Sequence, residues 1–535
     1  MSTLARVNPT LLEGQEEAGR DSSKVGTYGQ ILKSSALVGG AQILNIVIGM
    51  VRTKAMAVLL GPSGFGLFGL YSSVSNLAQN IAGLGVNSSG VRQIAAAVST
   101  GDSKTITKTI FVLRRVSLLL GLAGAALMIL FSRQISQLTF ATEEHATSIC
   151  WLSFAVSLTL VSASQTALIQ GMRRIADLAK IQVLGAVFGT ICSIPLVYFF
   201  GERGVVPSLI CVAAMTILTS WWYSRKLRQT MPSEPSPGGP SLTGRQIRVE
   251  AAALLKLGIA FMSSSLITLG VAYAIRVTIL HRIGYEATGL YQSAWTLGGL
   301  YVGFILQAMG ADFYPRLTAS ASDDPTCNRL VNEQAQVGLL LAGPGVIASL
   351  SLAPLVIAML YSAKFGAAVG ILRWICLGAM IQVISWPMGF VIIAKAKRAL
   401  FIACEVAWGV VSIGLAWLCI ARFGLDGAGI AYFGSYVFHA IMLYTIVSRL
   451  SGFRASRDNR ITGLVSLSLT TIVFSGFFFL PVMYSAGIGI AATIIHSVYS
   501  VRRLSSFLAT EQIPAPLRRL FVTLGLTPRA EQKLA

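Results

Sequence analysis

Charged residues are scarce in this sequence. Only 12% of its 535 residues are Asp, Glu, Lys or Arg, whereas 54% are hydrophobic, and this balance indicates an integral membrane protein with many spans. Acidic residues are rarer than basic ones, with 21 Asp and Glu against 42 Lys and Arg, so the net charge is +21. Because the basic residues are spread over short loops and tails with no nucleic-acid-binding motif, we predict no nucleic-acid partner.

Residue patterns that would support a catalytic or metal centre are also missing. The four His and seven Cys show no metal-ligand spacing and no Cys-x-x-Cys pair, so we predict no metal and no cofactor. The sequence has no Asp-x-Asp motif and no long extramembrane loop, which disfavours a membrane glycosyltransferase or ligase. Residues 1–30 are polar and lack a short apolar run before a cleavage site, so we predict no secretory signal.

Hydropathy predicts an all-α polytopic membrane protein with about fourteen transmembrane helices. Most Lys and Arg fall on one side of these spans, which by the positive-inside rule places the N- and C-termini in the cytoplasm. The predicted plan is a cytoplasmic, disordered tail, an N-terminal six-helix bundle, a cytoplasmic linker, a C-terminal six-helix bundle, two additional helices and a cytoplasmic tail, in residues 1–30, 31–223, 224–250, 251–447, 448–503 and 504–535.

The two predicted bundles are related by a sequence repeat. The turn GPSGFGLF at 61–68 corresponds to GYEATGLY at 284–291, and further matches keep an offset of 223 or 224 positions. Each unit holds an even number of spans, so both halves have the same orientation. We therefore predict parallel repeats about an axis along the membrane normal, with a cavity between them.

Two arginines in apolar segments, Arg52 and Arg276, are the first candidate site. An ionisable side chain inside a membrane costs roughly 2.5–3.5 kcal/mol or more and indicates a function. Arg52 lies nine residues before Gly61, about 13 Å along a helix, which is a long reach for snorkelling to the headgroups. We expect both arginines to line a wet cavity and to bind an anion, since guanidinium donors suit phosphate oxygens.

Neutral polar residues spaced three and four apart extend this predicted cavity along the first, second and eighth spans. Amides and hydroxyls in such stripes suit sugars, although the same pattern also occurs at helix packing faces. The predicted substrate-binding residues are Arg52, Arg276, Gln42, Asn45, Asn76, Asn80, Asn87, Gln292 and Gln307.

Two carboxylates are candidates for coupling transport to H⁺ or Na⁺. Glu405 lies in the predicted eleventh span and Asp312 near the cytoplasmic end of the eighth. The alternative for each is an ion pair with an arginine.

Two segments resemble a known family. RTKAMAVLLGPSGFGLFGLY (52–71) and PMGFVIIAKAKRALFIACE (387–405) are similar to the O-antigen translocases, the lipid-linked oligosaccharide flippases of bacterial inner membranes. The resemblance covers most of residues 30–450 and implies the multidrug, oligosaccharidyl-lipid and polysaccharide exporter superfamily, with two six-helix bundles and alternating access.

The resemblance also implies a substrate. This is an undecaprenyl pyrophosphate-linked oligosaccharide, an O-antigen or exopolysaccharide repeat unit, flipped from the cytoplasmic to the periplasmic leaflet in lipopolysaccharide or exopolysaccharide synthesis. Polysaccharide polymerase and chain-length machinery are the implied partners. The polar N-terminal tail and the two additional spans after residue 460 depart from shorter, twelve-span members.

Four alternatives remain open. A lipid II flippase has a similar substrate and a similar fourteen-span plan. A multidrug exporter of the same superfamily would favour acidic or aromatic residues in its cavity. A membrane glycosyltransferase or ligase would handle the same lipid, and a structural scaffold would not need arginines inside the membrane.

Overall fold

The described chain is entirely helical in its regular structure. The computed structural model describes residues 9–100, 103–229 and 244–507, with side chains from residue 40 apart from short gaps, and has no strand in these ranges. The α-helices are α1 (Pro9–Gly83), α2 (Val86–Ser99), α3 (Ser103–Leu130), α4 (Ser132–Phe140), α5 (Ala146–Gly171), α6 (Ile175–Phe200), α7 (Val205–Gln229), α8 (Gly244–Arg282), α9 (Tyr285–Ala319), α10 (Asp324–Ser351), α11 (Ala353–Leu360), α12 (Ala368–Ala394), α13 (Arg398–Phe423), α14 (Asp426–Ser451), α15 (Arg457–Phe479) and α16 (Val482–Phe507).

Many of these helices are long and apolar enough to cross a membrane. The described residues contain 11 such stretches, or up to 12 if the two bent parts of α9 form one span. Two stretches, of 44 and 52 residues, exceed the ~20 residues that one span requires. Each is interrupted where the sequence predicts a loop, at Gly61 and at the 3-10 turn Gly201–Gly204. The all-helical membrane fold is confirmed, and the count of fourteen stays a prediction.

The backbone repeats in the two halves of the chain. Three pairs of residues with positive φ each lie 223 positions apart, the offset seen in the sequence. Positive φ is uncommon for residues other than glycine, yet one of these pairs is Arg and Ala. The pairs are Gly61 and Gly284, Arg173 and Ala396, and Gly201 and Gly424. The two halves therefore share these three turns, in the same order.

The two halves meet in a close glycine crossing between α1 and α9. A Cβ on Gly66 would overlap the carbonyl oxygen of Tyr285, and a Cβ on Gly289 would overlap that of Pro62. At the offset of 223 positions Gly66 corresponds to Gly289 and Pro62 to Tyr285, so each of the two contacts is the repeat of the other. The crossing therefore lies on the axis that relates the halves. We call this part of the bundle, which also holds the Gly61 and Gly284 turns, the turn end.

Parts of three predicted segments lie outside the described residues. They are residues 1–8 of the N-terminal tail, residues 230–243 of the linker and residues 508–535 of the C-terminal tail. These parts of the domain plan stay predictions.

The two additional helices, α15 and α16, pack against α10 through polar as well as apolar contacts. The buried ring of His496 bonds through Nε2 to Ser466 Oγ at 2.8 Å and through Nδ1 to Ser500 Oγ at 3.1 Å. The same ring lies directly against Gly343 of α10. A larger residue at Gly343 would displace the histidine and its two hydrogen bonds.

Asn332 of α10 attaches the segment between α14 and α15. Its Nδ2 donates to the Arg454 carbonyl at 3.1 Å, and its Oδ1 accepts from Ser456 N and Asn459 Nδ2 at 2.8 and 3.1 Å. We expect Asn332→Leu to lower the melting temperature in detergent by a few degrees, because polar groups left without partners cost ~1–3 kcal/mol. The matched control is Glu333→Ala at the exposed neighbouring position, and equal melting temperatures in the two variants would contradict the attachment.

Candidate functional site

A cavity of about 420 Å³ opens between α1, α2, α3, α5 and α8. It brings together three of the predicted amides and adds five polar residues outside the predicted substrate-binding set. The polar lining residues are Asn76, Asn80, Asn87, Gln79, Ser88, Ser117, Thr159 and Ser265. The described lining includes no Asp, Glu, Lys or Arg, so the wall is polar but uncharged.

The side-chain amides of this cavity differ in their hydrogen bonding. Asn80 Nδ2 donates to Ser265 Oγ at 3.0 Å, which joins α1 to α8, and Gln79 Nε2 donates to Ser75 Oγ at 2.9 Å. Asn76 and Asn87 are exposed and make no hydrogen bond within the described part of the chain. An exposed amide in an apolar span faces water or a ligand rather than lipid, because an unsatisfied polar group in hydrocarbon costs several kcal/mol.

Arg52 lies on an open polar face of α1. Its side chain is half-buried and has no ion pair or hydrogen bond to any described residue. Gln42 and Asn45 share this face, and a Cβ added at Gly49 between them would meet nothing within 4 Å. A helix packing face would place a neighbour at that glycine, so the alternative of simple packing is disfavoured here.

Arg276 is buried and fully engaged. Its Nε donates to Gln292 Oε1 at 2.7 Å and its Nη1 to the Ala272 carbonyl at 2.8 Å. The guanidinium carbon lies 5.8 and 5.7 Å from the ring centroids of Tyr291 and Trp295, within cation–π distance. Two predicted residues, Arg276 and Gln292, thus bind each other.

The two arginines are one residue out of register. The backbone pairs of the repeat lie 223 positions apart, whereas Arg52 and Arg276 lie 224 apart. One residue turns a side chain by about 100° around a helix. This rotation explains why Arg52 faces open space and Arg276 faces the α8–α9 interface. The two positions are therefore not equivalent in the repeat.

The remaining predicted residues lie apart from the cavity. Gln307 is exposed on α9, on the side where Gly299 and Gly303 have no neighbour within 4 Å of an added Cβ. Asp312 is exposed and forms an ion pair with Arg316 one turn away, at 3.1 Å, which is the alternative considered for it.

Glu405 is half-buried on α13 and close to Ser264 of α8. Two further polar atoms of the same helix, Trp408 Nε1 and Ser412 Oγ, are buried without a hydrogen-bond partner. Among the described residues, no group of three or more His, Cys, Asp or Glu side chains could hold a metal ion. Ion coupling at Glu405 or Asp312 stays a prediction.

A chain of hydrogen bonds joins the two halves at the turn end. His145, just before α5, bonds through Nδ1 to Tyr71 OH at 2.8 Å and through Nε2 to Tyr285 OH at 3.1 Å. Nearby, Thr139 Oγ1 bonds to Tyr273 OH at 2.7 Å. We call these five residues the turn-end cluster. Sequence reasoning treated the histidines as scattered, because partners 74 and 140 positions away leave no local spacing signal.

The turn-end cluster is expected to weaken as the pH falls. Burial lowers the pKa of His145 below its ordinary value near 6.5, against the opposite effect of Glu144 and Glu202. Tyr71 and Tyr285 are the other titratable groups that face the ring. Because the folded pKa is depressed, the stabilisation from the neutral ring is complete above about pH 6.5 and is lost as the pH falls through the folded pKa.

Electron–electron distance measurements between spin labels at Thr142 and Glu286 check this pH dependence. We expect the two labels to separate when the pH is lowered from about 7.5 to about 5, the range in which histidine titrates. His145→Gln, which cannot gain a proton, should show the same distances at both pH values. A separation that persists in His145→Gln would assign the titration to another group.

Comparison with known proteins identifies related chains. Residues 55–370 match the family described as polysaccharide biosynthesis protein. The lipid III flippases of Escherichia coli strain K12 and Shigella flexneri are each 22% identical over 420 residues, which cover 76% of this chain and 95% of each relative.

Two solved structures have a similar fold. The lipid II flippase MurJ in an inward closed conformation superposes with a TM-score of 0.65 at 15% identity, over 88% of this chain and 99% of that one. An inward-facing multidrug resistance MATE family transporter of the MOP superfamily gives 0.62 at 16% identity, over 77% and 99%. The chain shares its fold with these two transporters. Because the segment that matches the family spans more than half of the sequence, the chain belongs to the polysaccharide biosynthesis protein family.

Proposed function

We propose that the protein is a flippase that moves a lipid-linked oligosaccharide across a membrane. The observation that carries the proposal is Arg52, a charged side chain without a described partner, on an open polar face of a membrane span. Such an arginine suits an anionic group such as a pyrophosphate, and the neutral cavity of α1, α2 and α8 suits sugars. Family membership and the lipid III flippase relatives support the same substrate class.

The packing supports alternating access. The halves are in contact at the turn end through the Gly66 and Gly289 crossing and at the opposite end through Gly85 and Gly258, whereas Gly49 of α1 and Gly303 of α9 have open space beside them. With both termini in the cytoplasm, as the positive-inside rule predicts, the turn end is the periplasmic end. The pyrophosphate and sugars enter from the cytoplasmic leaflet while the polyprenyl chain stays in lipid, and rocking of the halves then separates the turn end.

The finer proposal concerns the glycan and its pathway. We infer that the carrier is undecaprenyl pyrophosphate in a bacterial inner membrane and that the glycan is an O-antigen or exopolysaccharide repeat unit, because the segments 52–71 and 387–405 resemble O-antigen translocases. The product in the periplasmic leaflet would then pass to a polymerase and chain-length machinery.

A lipid II flippase is the second candidate. The similarity to the lipid II flippase structure covers 88% of this chain, against 77% for the MATE transporter. This similarity supports a lipid II flippase as well as the family resemblance supports an O-antigen translocase. A drug exporter is disfavoured because the described wall of the cavity has no acidic or aromatic residue.

Transport in proteoliposomes separates these candidates. The protein is reconstituted with an undecaprenyl pyrophosphate-linked repeat unit or with lipid II, and the fraction of glycan accessible to an added glycosidase or lectin is followed in time. Faster movement of the repeat-unit lipid than in protein-free vesicles is the expected result. If only lipid II moves, the lipid II flippase replaces the O-antigen proposal. If neither lipid moves, the proposed flippase function is wrong.

The same vesicles test ion coupling. An imposed pH or Na⁺ gradient should accelerate flipping if the half-buried carboxylate of Glu405 exchanges an ion. Glu405→Gln should then flip at the same rate with and without the gradient. A gradient response retained in Glu405→Gln would exclude this residue from coupling.

A further inference from the structure

The cavity between α1, α2, α3, α5 and α8 differs in chemistry from the arginine face of α1. Its described lining contains four side-chain amides and four hydroxyls but no ionisable carboxylate, ammonium or guanidinium. Arg52 is not among the lining residues, and Arg276 is engaged by Gln292. The groups able to bind phosphate and the groups able to bind neutral hydroxyls are therefore separated in the molecule.

The size and the free polar groups of the cavity suit a ligand. Its volume of about 420 Å³ lies within the ~300–1,000 Å³ range of small-molecule sites. Asn76 and Asn87 make no hydrogen bond to any described residue, so each offers one acceptor and two donors. Asn80 of α1 donates to Ser265 of α8 at 3.0 Å, so this pair is already engaged and joins two of the helices that line the cavity.

Apolar side chains complete the wall. Leu160, Leu269 and Met262 contribute carbon surface next to the amides. A sugar ring presents both hydroxyls and C–H groups, and an acetamido substituent adds a methyl group, so both kinds of wall would be used. A lipid chain would leave the amides unsatisfied, and a free phosphate would find no cation.

The absence of charge in the described wall also selects among sugars. A carboxylate moved from water into a neutral, partly desolvated cavity loses hydration without gaining a counter-charge, which weakens its binding. An uncharged sugar exchanges hydrogen bonds with water for hydrogen bonds with amides, at little net cost.

We propose that this cavity is a subsite for uncharged sugar residues of the glycan, hexoses and N-acetylhexosamines, and that it discriminates against uronic acids. The proposal rests on the proposed flippase function for its biological meaning. Binding of sugar to the cavity can nevertheless be measured without transport. The carrier phosphates are bound elsewhere, on the face of Arg52. This face precedes the Gly61 turn of α1, whereas the cavity is formed by the part of α1 that follows the turn together with α2, α3, α5 and α8.

Saturation-transfer NMR on the full-length protein in nanodiscs tests the subsite. The probes are N,N'-diacetylchitobiose, which is uncharged, and digalacturonic acid, which carries two carboxylates. We expect titrations followed by saturation transfer to give a Kd about tenfold lower for chitobiose than for digalacturonate, which corresponds to about 1.4 kcal/mol. Asn76→Leu and Asn87→Leu should each weaken chitobiose binding by roughly threefold to tenfold, because each removes hydrogen bonds worth ~0.5–1.5 kcal/mol.

Arg52→Gln is the matched control, since free chitobiose carries no phosphate. We expect this variant to bind chitobiose like the original protein although it flips the lipid-linked glycan poorly. Equal binding of both probes, or binding unaffected by both Asn76→Leu and Asn87→Leu, would overturn the subsite. Flipping of the lipid-linked glycan without detectable chitobiose binding would overturn the subsite but not the flippase function. Chitobiose binding without flipping would overturn the flippase function but not the subsite.

Discussion

Replacing Gly66 with leucine is expected to stop transport while the protein still reaches the membrane. The Cβ of any residue at Gly66 would overlap the backbone carbonyl of Tyr285, which cannot move aside as a side chain would. The crossing of α1 and α9 must therefore open, and the conformation that is closed at the turn end is destabilised. Overpacking costs ~1–3 kcal/mol or more, so we expect flipping to fall roughly tenfold to a hundredfold.

The equivalent glycine of the other half gives a second test variant, and a glycine with open space beside it gives a control. Gly289→Leu should have the same effect, because its Cβ would overlap the Pro62 carbonyl on the other side of the axis. Gly414→Leu introduces the same side chain on α13, where nothing lies within 4 Å, and should flip normally. Normal flipping by both Gly66→Leu and Gly289→Leu would contradict the role of the crossing.

Opening of the turn end has its own readout. Ala287 is buried next to the crossing, so a cysteine placed there should react slowly with a membrane-impermeant maleimide once the seven natural cysteines are replaced. Gly66→Leu should increase the labelling rate strongly. Lost transport without increased labelling would indicate a folding defect instead of an open turn end.

The sequence allowed the helical class and the repeat to be predicted because both depend on local patterns. Apolar segments identify spans, and glycines at equivalent positions identify the turns. The close approach of Gly66 to Tyr285 was not predictable, because it depends on how the two halves pack. The turn-end cluster was missed for the same reason, since His145 contacts residues from distant helices.

The candidate site was predicted in part. Spacing of three and four residues predicted that Asn76, Asn80 and Asn87 share one face of a single helix. The structure brings all three to one cavity, but α1 ends at Gly83 and Asn87 reaches the cavity from α2. The same rule cannot tell a free arginine from an engaged one. Arg276 looked equivalent to Arg52 until the backbone offset of 223 showed the two side chains to be one residue out of register.

That difference predicts opposite consequences for the two arginines. Arg52→Gln should lower flipping by roughly tenfold to a hundredfold at normal protein levels, because hydrogen bonds to charged groups contribute ~1.5–3 kcal/mol. Arg52→Lys should recover part of the activity, since lysine keeps the charge but loses the paired donors. Arg276→Gln should instead lower the melting temperature and the amount of protein in the membrane, because it removes two buried side-chain hydrogen bonds and leaves Gln292 Oε1 without its donor.

Moving the arginine by one residue tests whether transport requires the guanidinium at its place on the helix face or only a positive charge nearby. The double variant Arg52→Thr with Thr53→Arg keeps composition and net charge but turns the guanidinium by about 100°, into the register of Arg276. We expect it to flip as poorly as Arg52→Gln when assayed with the lipid-linked glycan at matched protein levels. Full activity in the shifted variant would mean that any nearby positive charge suffices, and the face shared by Arg52, Gln42 and Asn45 would lose its role in binding the anion.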